Sequence, residues 1–189
     1  MHYNSARKRL NLARFFGQKG NILRTNVSEA AALIRRHGSD ILASAGMQKS
    51  REYIQHGTQS IYDHSVHVTS MCIRMARKLN LSVNERALVR GALLHDYFLY
   101  DWHDDGHKWH GFHHAATSLK NARRDFAIGK VEADMIWCHM FPLNLRLPRC
   151  RESWLLCIAD KISSVAELKP VQSILPQRLK YGKETELQF

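Results

Sequence analysis

The stretch ALLHDYFLY, residues 92–100, places a histidine and an aspartate side by side inside an apolar run. The helix predicted over residues 87–98 carries only Arg90, His95 and Asp96 as charged or imidazole side chains, and its apolar residues fall on nearly every side. This pattern is typical of a central, buried helix, in which an isolated carboxylate is costly. Either the pair shares a bound cation, or the helix ends just before the pair and leaves both side chains in a solvated turn.

Capping signals indicate where two of the helices begin. Ser82 and Glu85 have the spacing of a capping box at the start of the central helix. Ser60 and Asp63 have the same spacing at the start of the preceding helix. The hydroxyl of each serine is expected to accept a hydrogen bond from a backbone amide in the first turn of its helix.

Several histidines fall on the apolar faces of predicted helices. His64 lies on the apolar stripe of the helix that precedes the central one, whereas His67 lies on its solvent side. His114 borders the buried stripe of a later helix, and His139 lies on the apolar face of the helix after that. His110 precedes His114 by one helical turn and shares its side if the helix extends that far. A lone buried histidine needs only a hydrogen-bond partner. These histidines therefore indicate a functional site only if several of them lie together.

The last predicted helix spans residues 152–168, and its apolar side chains define one stripe. That stripe consists of Leu155, Ile158, Ala159, Ile162, Val165 and Ala166. The same wheel places Asp160 on the opposite side, together with Leu156 and Glu167, so the pattern alone predicts an exposed Asp160. Asp160 becomes a ligand candidate only if both sides of this helix are covered.

The predicted helices are joined by short connections, without an internal repeat or a convincing strand, so we expect an all-α fold. Within the N-terminal region we predict a helix over residues 28–37, stopped by Gly38, and a shorter one over residues 40–46. Three regions follow from the pattern: a basic helical N-terminal extension over residues 1–50, a main domain over residues 51–170 and a polar C-terminal tail over residues 171–189.

Composition narrows the class of protein. The 189 residues suffice for one compact core, and the net charge of +11 favours an anionic partner such as a nucleotide, nucleic acid or acidic lipid, although a basic protein needs none. The four cysteines form no CxxC pair, which argues against a disulfide framework or a cysteine zinc site and fits the cytoplasm. No apolar stretch is long enough for a transmembrane segment, and no signal-peptide pattern opens the chain.

The order His64, then His95-Asp96, then Asp160 resembles that of the HD superfamily of metal-dependent phosphohydrolases. The resemblance covers roughly residues 54–168. The supporting local sequences are DHSV at 63–66, GALLHD at 91–96 and IADKI at 158–162. The segments FLYDW, HGF and HMFPL, at 98–102, 110–112 and 139–143, are also similar to a group of bacterial HD-domain proteins.

This resemblance implies an HD-domain helical bundle with one or two metal ions in its interior. The implied ligands are His64, His95, Asp96 and Asp160 for a first ion, and His114 and His139 for a second ion that Asp96 bridges, with His110 as an additional member. A mixed set of imidazoles and carboxylates suits a divalent transition metal, namely iron, manganese, cobalt, nickel or zinc.

The implied activity is hydrolysis of a phosphate ester or phosphoanhydride in a small phosphorylated substrate, which we expect to be a nucleotide. Asp96 has a catalytic role as the bridging ligand, and Lys161 can neutralise a phosphate oxygen. Asp101 or Asp104 is the candidate general acid or base. Lys161 and Arg146 are candidate substrate contacts. Two alternatives stay open: an HD-type module that senses a nucleotide without turnover, and a nucleic-acid-binding hydrolase that uses the basic N-terminus.

Overall fold

The computed structural model describes residues 27–56, 59–101 and 110–167, and within these ranges the chain forms seven helices and two short strands. The helices are α1 over residues 27–42, α2 Ala45–Lys49, α3 Ile61–Lys78, α4 Glu85–Leu93, α5 His110–Asp125, α6 Lys130–Cys138 and α7 Arg151–Glu167, and the strands are β1 Ile54–His56 and β2 Gln59–Ser60. The predicted basic helix before residue 27 and the tail over residues 171–189 lie outside the described residues.

The predicted all-α class is confirmed, with one correction. Strands β1 and β2 form an antiparallel hairpin in which Ile54 lies opposite Ser60. The hairpin leads directly into α3, and the amide of Ile61 donates to the carbonyl of Tyr53 at 2.9 Å. The expectation that the chain contains no strand is therefore wrong here, because strands of two and three residues are too short to produce a readable alternation.

Helix α4 lies at the centre of the bundle. It packs against α3, α6 and α7, and every residue from 87 to 98 is buried. Close packing against α6 depends on Gly91, because a Cβ at that position would meet the sulfur of Met135 at 2.5 Å. The predicted burial and central position of this segment are confirmed, but the helix ends at Leu93 and does not extend to residue 98 as predicted.

The start of α4 differs from the predicted capping box. Its N-cap is Asn84, whose Oδ1 accepts from the amide of Ala87 at 3.0 Å, and not Ser82. Glu85 does not reach back to Ser82, since its carboxylate accepts a hydrogen bond from Arg77 of α3 at 2.5 Å. A tertiary ion pair and a second capping side chain nearby therefore decided where this helix begins.

A single helix, α1, replaces the two short helices predicted over residues 28–37 and 40–46. Gly38 does not stop it, and the next helix, α2, begins only at Ala45. Gly38 faces Leu93 of α4, and a Cβ there would collide with that leucine side chain. The glycine thus permits close packing of two helices, a role that local sequence cannot distinguish from a helix stop.

Helices α3 and α5 agree with their predicted patterns in most respects. The hydroxyl of Ser60 accepts from the amide of Asp63 at 3.1 Å, as predicted for the start of α3. His64 is buried, as predicted. His67 was predicted to face solvent, but it is half-buried. On α5 the predicted stripe residues Ala115, Leu119 and Ala122 are buried.

Helix α7 buries several residues on the side that the sequence pattern assigned to solvent. Three residues of the predicted stripe, Ile158, Ile162 and Val165, are 46%, 49% and 51% exposed. Leu156, Asp160 and Glu167 on the opposite side are all buried, because that side packs against α3 and α6. The predicted core stripe is therefore only partly correct, since Leu155 and Ala159 are buried as predicted. The predicted exposure of Asp160 is wrong, and the side with the acidic residues reaches the interior.

The four cysteines are free thiols, as the absence of a disulfide pattern predicted. Among the helices in the described ranges, none combines the length and apolar character that a bilayer crossing requires.

Candidate metal centre

The turn after α4 places His95 and Asp96 in the interior. The helix ends at Leu93, so the alternative in which it stops before the His95-Asp96 pair is correct about the helix end. The turn itself is buried, however, and the exposed fractions of His95 and Asp96 are 0% and 2%. A carboxylate at this depth requires neighbouring charges or donors, and the other helices supply them.

Helices α3 and α7 bring the first group of donors to this turn. Nε2 of His64 lies 3.2 Å from Oδ1 of Asp160 and 3.8 Å from Oδ2 of Asp96. Nε2 of His95 lies 3.3 Å from the same oxygen of Asp96 and 3.7 Å from Oδ1 of Asp160. Four side chains from three separate parts of the chain therefore direct one donor atom each into a shared, buried space.

Helices α5 and α6 bring a second group to the other oxygen of the same aspartate. Nε2 of His114 and Nε2 of His139 each lie 3.3 Å from Oδ1 of Asp96. Within the described residues, the trio His64, His95 and Asp96 and the trio Asp96, His114 and His139 both have the mutual spacing of metal ligands. Asp96 belongs to both trios, with one oxygen directed to each.

Outer contacts orient three of these imidazoles. Nδ1 of His95 lies 2.7 Å from the carbonyl of Ala92, and Nδ1 of His139 lies 2.8 Å from the carbonyl of Ile136. A carbonyl oxygen only accepts, so each Nδ1 carries a proton and each ring directs its Nε2 into the centre. His64 is oriented in the same way, but its Nδ1 donates to the carboxylate of Glu167.

The arrangement of donors fits a cation. Imidazole lone pairs and carboxylate oxygens face one another at 3.2–3.8 Å, and such contacts repel unless a proton or a metal ion lies between them. Nε2 of His95 and Oδ1 of Asp96 are also buried without a hydrogen bond in the described structure. Two donors that bind one ion at about 2.1 Å are separated by roughly 3 Å, which matches this spacing. The residues present therefore fit a divalent metal.

The pKa values of the first donor group also fit a site that attracts a cation. Burial lowers the pKa of His64, but hydrogen bonds to Asp160 and Glu167 outweigh it and raise this pKa to about 9. Burial raises the pKa of Asp96, but the charge of His95 and the two imidazoles at Oδ1 hold it well below the ordinary value. The pKa of Asp160 is likewise low, since His64 and His95 outweigh its burial. The centre thus keeps its carboxylates ionised and attracts positive charge.

His139 differs from His64 in this respect. Burial lowers the pKa of His139, and the charge of Asp96 only partly opposes that effect. A neutral imidazole is the form that binds a metal, so the second group holds at least one histidine whose lone pair is free at neutral pH.

The remaining predicted site residues differ in what they contact. Nζ of Lys161 donates to the carbonyl of His139 at 2.9 Å, so the lysine lies beside the second group. The guanidinium of Arg146 stacks on the ring of Trp137 at 3.2 Å. Asp101 is half-buried at the edge of the described range, and His110 begins α5 while its side chain lies outside the description.

Two residues at the centre were missed by sequence reasoning. Gln55 of β1 is buried, and its Nε2 donates to Oδ2 of Asp96 at 2.5 Å. Glu167 contacts His64, although the helical pattern placed it on an exposed side. Glu167 could have been found from the sequence, because it lies on the same side of the last helix as Asp160. No local sequence pattern indicated Gln55.

Comparison with known proteins agrees with this geometry. A family model described as the HD domain matches residues 61–164, which is more than half of the chain. No curated protein and no solved structure gives a significant match. The matched range contains the whole His64, His95-Asp96 and Asp160 series, and the predicted resemblance to the HD superfamily is confirmed. The chain therefore belongs to the HD domain family and is a metal-dependent phosphohydrolase-like protein.

Proposed function

We propose that this protein is a metal-dependent hydrolase that cleaves a phosphate ester or phosphoanhydride bond in a nucleotide. The single observation that carries the proposal is the position of Asp96, whose two oxygens each face a separate buried group of imidazoles. A buried carboxylate shared in this way is the arrangement expected of a bridge between two ions. The net charge of +11 supports an anionic substrate.

The proposed ligands follow the two groups. His64, His95, Asp96 and Asp160 would hold one divalent transition metal, and Asp96, His114 and His139 would hold a second, with His110 as a further candidate. Iron, manganese, cobalt, nickel and zinc all accept this mixture of nitrogen and oxygen donors. When bound, such ions supply a water of lowered pKa and positive charge for the oxygens of a phosphoryl group.

The protein's own side chains have distinct proposed roles around that centre. Lys161 keeps two N–H donors beyond its bond to the His139 carbonyl, and these can contact a phosphate oxygen. Arg146 offers a guanidinium stacked on Trp137 as a second anion contact. Asp101 is the candidate for proton transfer to or from the leaving group, a role that rests on its position after the His95-Asp96 turn.

The direct test is elemental analysis of the purified protein, followed by a phosphate-release assay with that metal. The substrate panel contains nucleoside monophosphates, dinucleoside polyphosphates, cyclic dinucleotides and a single-stranded oligonucleotide. We expect hydrolysis of at least one nucleotide, and we expect His95→Ala and Asp96→Ala to lose both bound metal and activity. His113→Ala is the matched control, because His113 lies on α5 but is exposed.

Two outcomes would contradict the proposal. One is full metal content in both His95→Ala and Asp96→Ala, which would separate the metal from this centre. The other is a metal-loaded protein that binds a nucleotide but hydrolyses none of the panel, which would favour a sensing module.

We retain the cytoplasm as the predicted compartment, since all four cysteines are free thiols.

A further inference from the structure

Glu167, the last residue of α7, is buried against the far side of His64. Its Oε1 and Oε2 lie 3.1 Å and 3.0 Å from Nδ1 of His64, so both oxygens share one imidazole N–H. The hydroxyl of Ser163, one turn earlier on the same helix, donates to Oε1 at 2.8 Å. The carboxylate is thus held in place by its own helix while it contacts a residue 103 positions away.

This contact differs in kind from those of the other oriented histidines. His95 and His139 donate through Nδ1 to neutral backbone carbonyls of their own turns, whereas His64 donates to an anion from another helix. A carboxylate in this position fixes the tautomer, restrains ring rotation and increases the basicity of the opposite nitrogen. That opposite nitrogen, Nε2, lies 3.2 Å from Asp160 in the first donor group.

The same helix therefore supplies two acidic residues with different tasks. Asp160 and Glu167 are separated by seven residues, which is close to two helical turns, so both lie on the inward side of α7. Asp160 directs an oxygen into the donor group itself, while Glu167 acts from behind the imidazole. The burial of this side of α7 follows from both contacts together.

We propose that Glu167 is a positioning residue that acts through His64 and strengthens metal binding at the His64 side of the centre. The inference rests on the proposed metal site and extends it to a residue outside the ligand set. It predicts an asymmetry: loss of the Glu167 carboxylate weakens the ion held by His64, His95, Asp96 and Asp160 and leaves the ion at His114 and His139 nearly unaffected.

The test measures metal affinity in the full chain, without reference to activity. Wild type, Glu167→Ala and Glu167→Gln are titrated with Zn²⁺ and with Co²⁺ in competition with a chromogenic chelator, and the Co²⁺ absorption spectrum is recorded. We expect Glu167→Ala to bind one ion about 10- to 100-fold more weakly, in line with outer contacts of metal-bound histidines. Glu167→Gln keeps an acceptor for Nδ1 but not the charge, so we expect a smaller loss and a partial rescue.

The matched control is Glu152→Gln on the same helix. Glu152 is also a buried carboxylate, but it accepts from the backbone amide of Asn84 at 2.7 Å, at the opposite end of α7. We expect this variant to keep wild-type affinity for both ions. Thermal unfolding of each metal-free variant identifies any that fails to fold, in which case Glu167→Gln and Ser163→Ala carry the test.

The outcomes separate the two proposals. Equal affinities in wild type and the Glu167 variants would overturn the positioning role while leaving the metal site intact. Equal weakening of both ions, or the same weakening in Glu152→Gln, would also overturn it, because a general loss of stability would then explain the effect. A wild-type protein that takes up no divalent metal would overturn the proposed function itself.

Discussion

The Nε2 atoms of His114 and His139 lie 2.8 Å apart, although the two residues come from different helical segments. Nδ1 of His139 already donates to the carbonyl of Ile136, so its neutral ring has a lone pair on Nε2. Two imidazole nitrogens at this separation repel unless they share a proton or a cation. Both nitrogens also face Oδ1 of Asp96, which makes this pair the specific test of a second ion.

We expect His139→Ala to reduce bound metal from two ions to one per chain. The first donor group does not use this residue, and a loss of one ligand from a three-residue group weakens binding of that ion most. Elemental analysis after dialysis against a weak chelator gives the stoichiometry, with His113→Ala as the exposed control on α5. Two ions per chain in His139→Ala would contradict the assignment of the second group.

Replacement of Gln55 tests whether the hairpin supports the proposed metal centre. Its Nε2 donates to Oδ2 of Asp96, so Gln55→Ala removes a donor from the oxygen that faces His64 and His95. We expect metal affinity to fall by about 10-fold or more. Competition with a chromogenic chelator measures it, and Gln59→Ala on the adjacent strand is the control. Unchanged affinity in Gln55→Ala would exclude this supporting role.

Two substitutions on α7 test which side of the helix stabilises the fold. Leu156 is fully buried, and we expect Leu156→Ala to lower the free energy of unfolding by about 2–5 kcal/mol. Ile158 is half-exposed although the sequence pattern placed it in the core, and we expect Ile158→Ala to cost less than about 1 kcal/mol. Urea denaturation of the metal-free protein measures both. A larger loss in Ile158→Ala would restore the predicted stripe.

The phenol of Tyr97 makes the stability of the folded state depend on pH in the alkaline range. Burial and the contact of its hydroxyl with Asp125, at 3.1 Å, raise the pKa of Tyr97 from 10 to about 12. The neutral phenol therefore stabilises the folded state fully below pH 10, and this contribution is lost as the pH rises through about 12.

The comparison of wild type with Tyr97→Phe isolates this effect from the titration of lysines. We expect the wild type to lose more unfolding free energy than Tyr97→Phe between pH 10 and about 12, as measured by urea unfolding at intervals of pH. A constant difference between the two proteins across that range would show that Tyr97 has the same pKa in the folded and unfolded states.

Local sequence was sufficient for much of the helical framework. The Ser60 cap, the buried stripe of α5 and the inward position of His64 follow from interactions within one helix, and all were predicted. The start of α4 was not, because Arg77 of a neighbouring helix withdraws Glu85 from the predicted capping box. Gly38 was misinterpreted for the same reason: its role is set by Leu93, which lies far away in sequence.

The sequence by itself determined that the chain is all-α and which histidines and aspartates carry the HD pattern, because helical periodicity and motif order are properties of the linear chain. Only the tertiary structure decided that α7 buries its acidic side, that the His95-Asp96 turn is buried, and that Gln55 and Glu167 join the centre. The physical reason is that a helical wheel assumes apolar residues face the core. At a metal centre, polar side chains that supply donors to one another become the interior, and their partners come from segments distant in sequence.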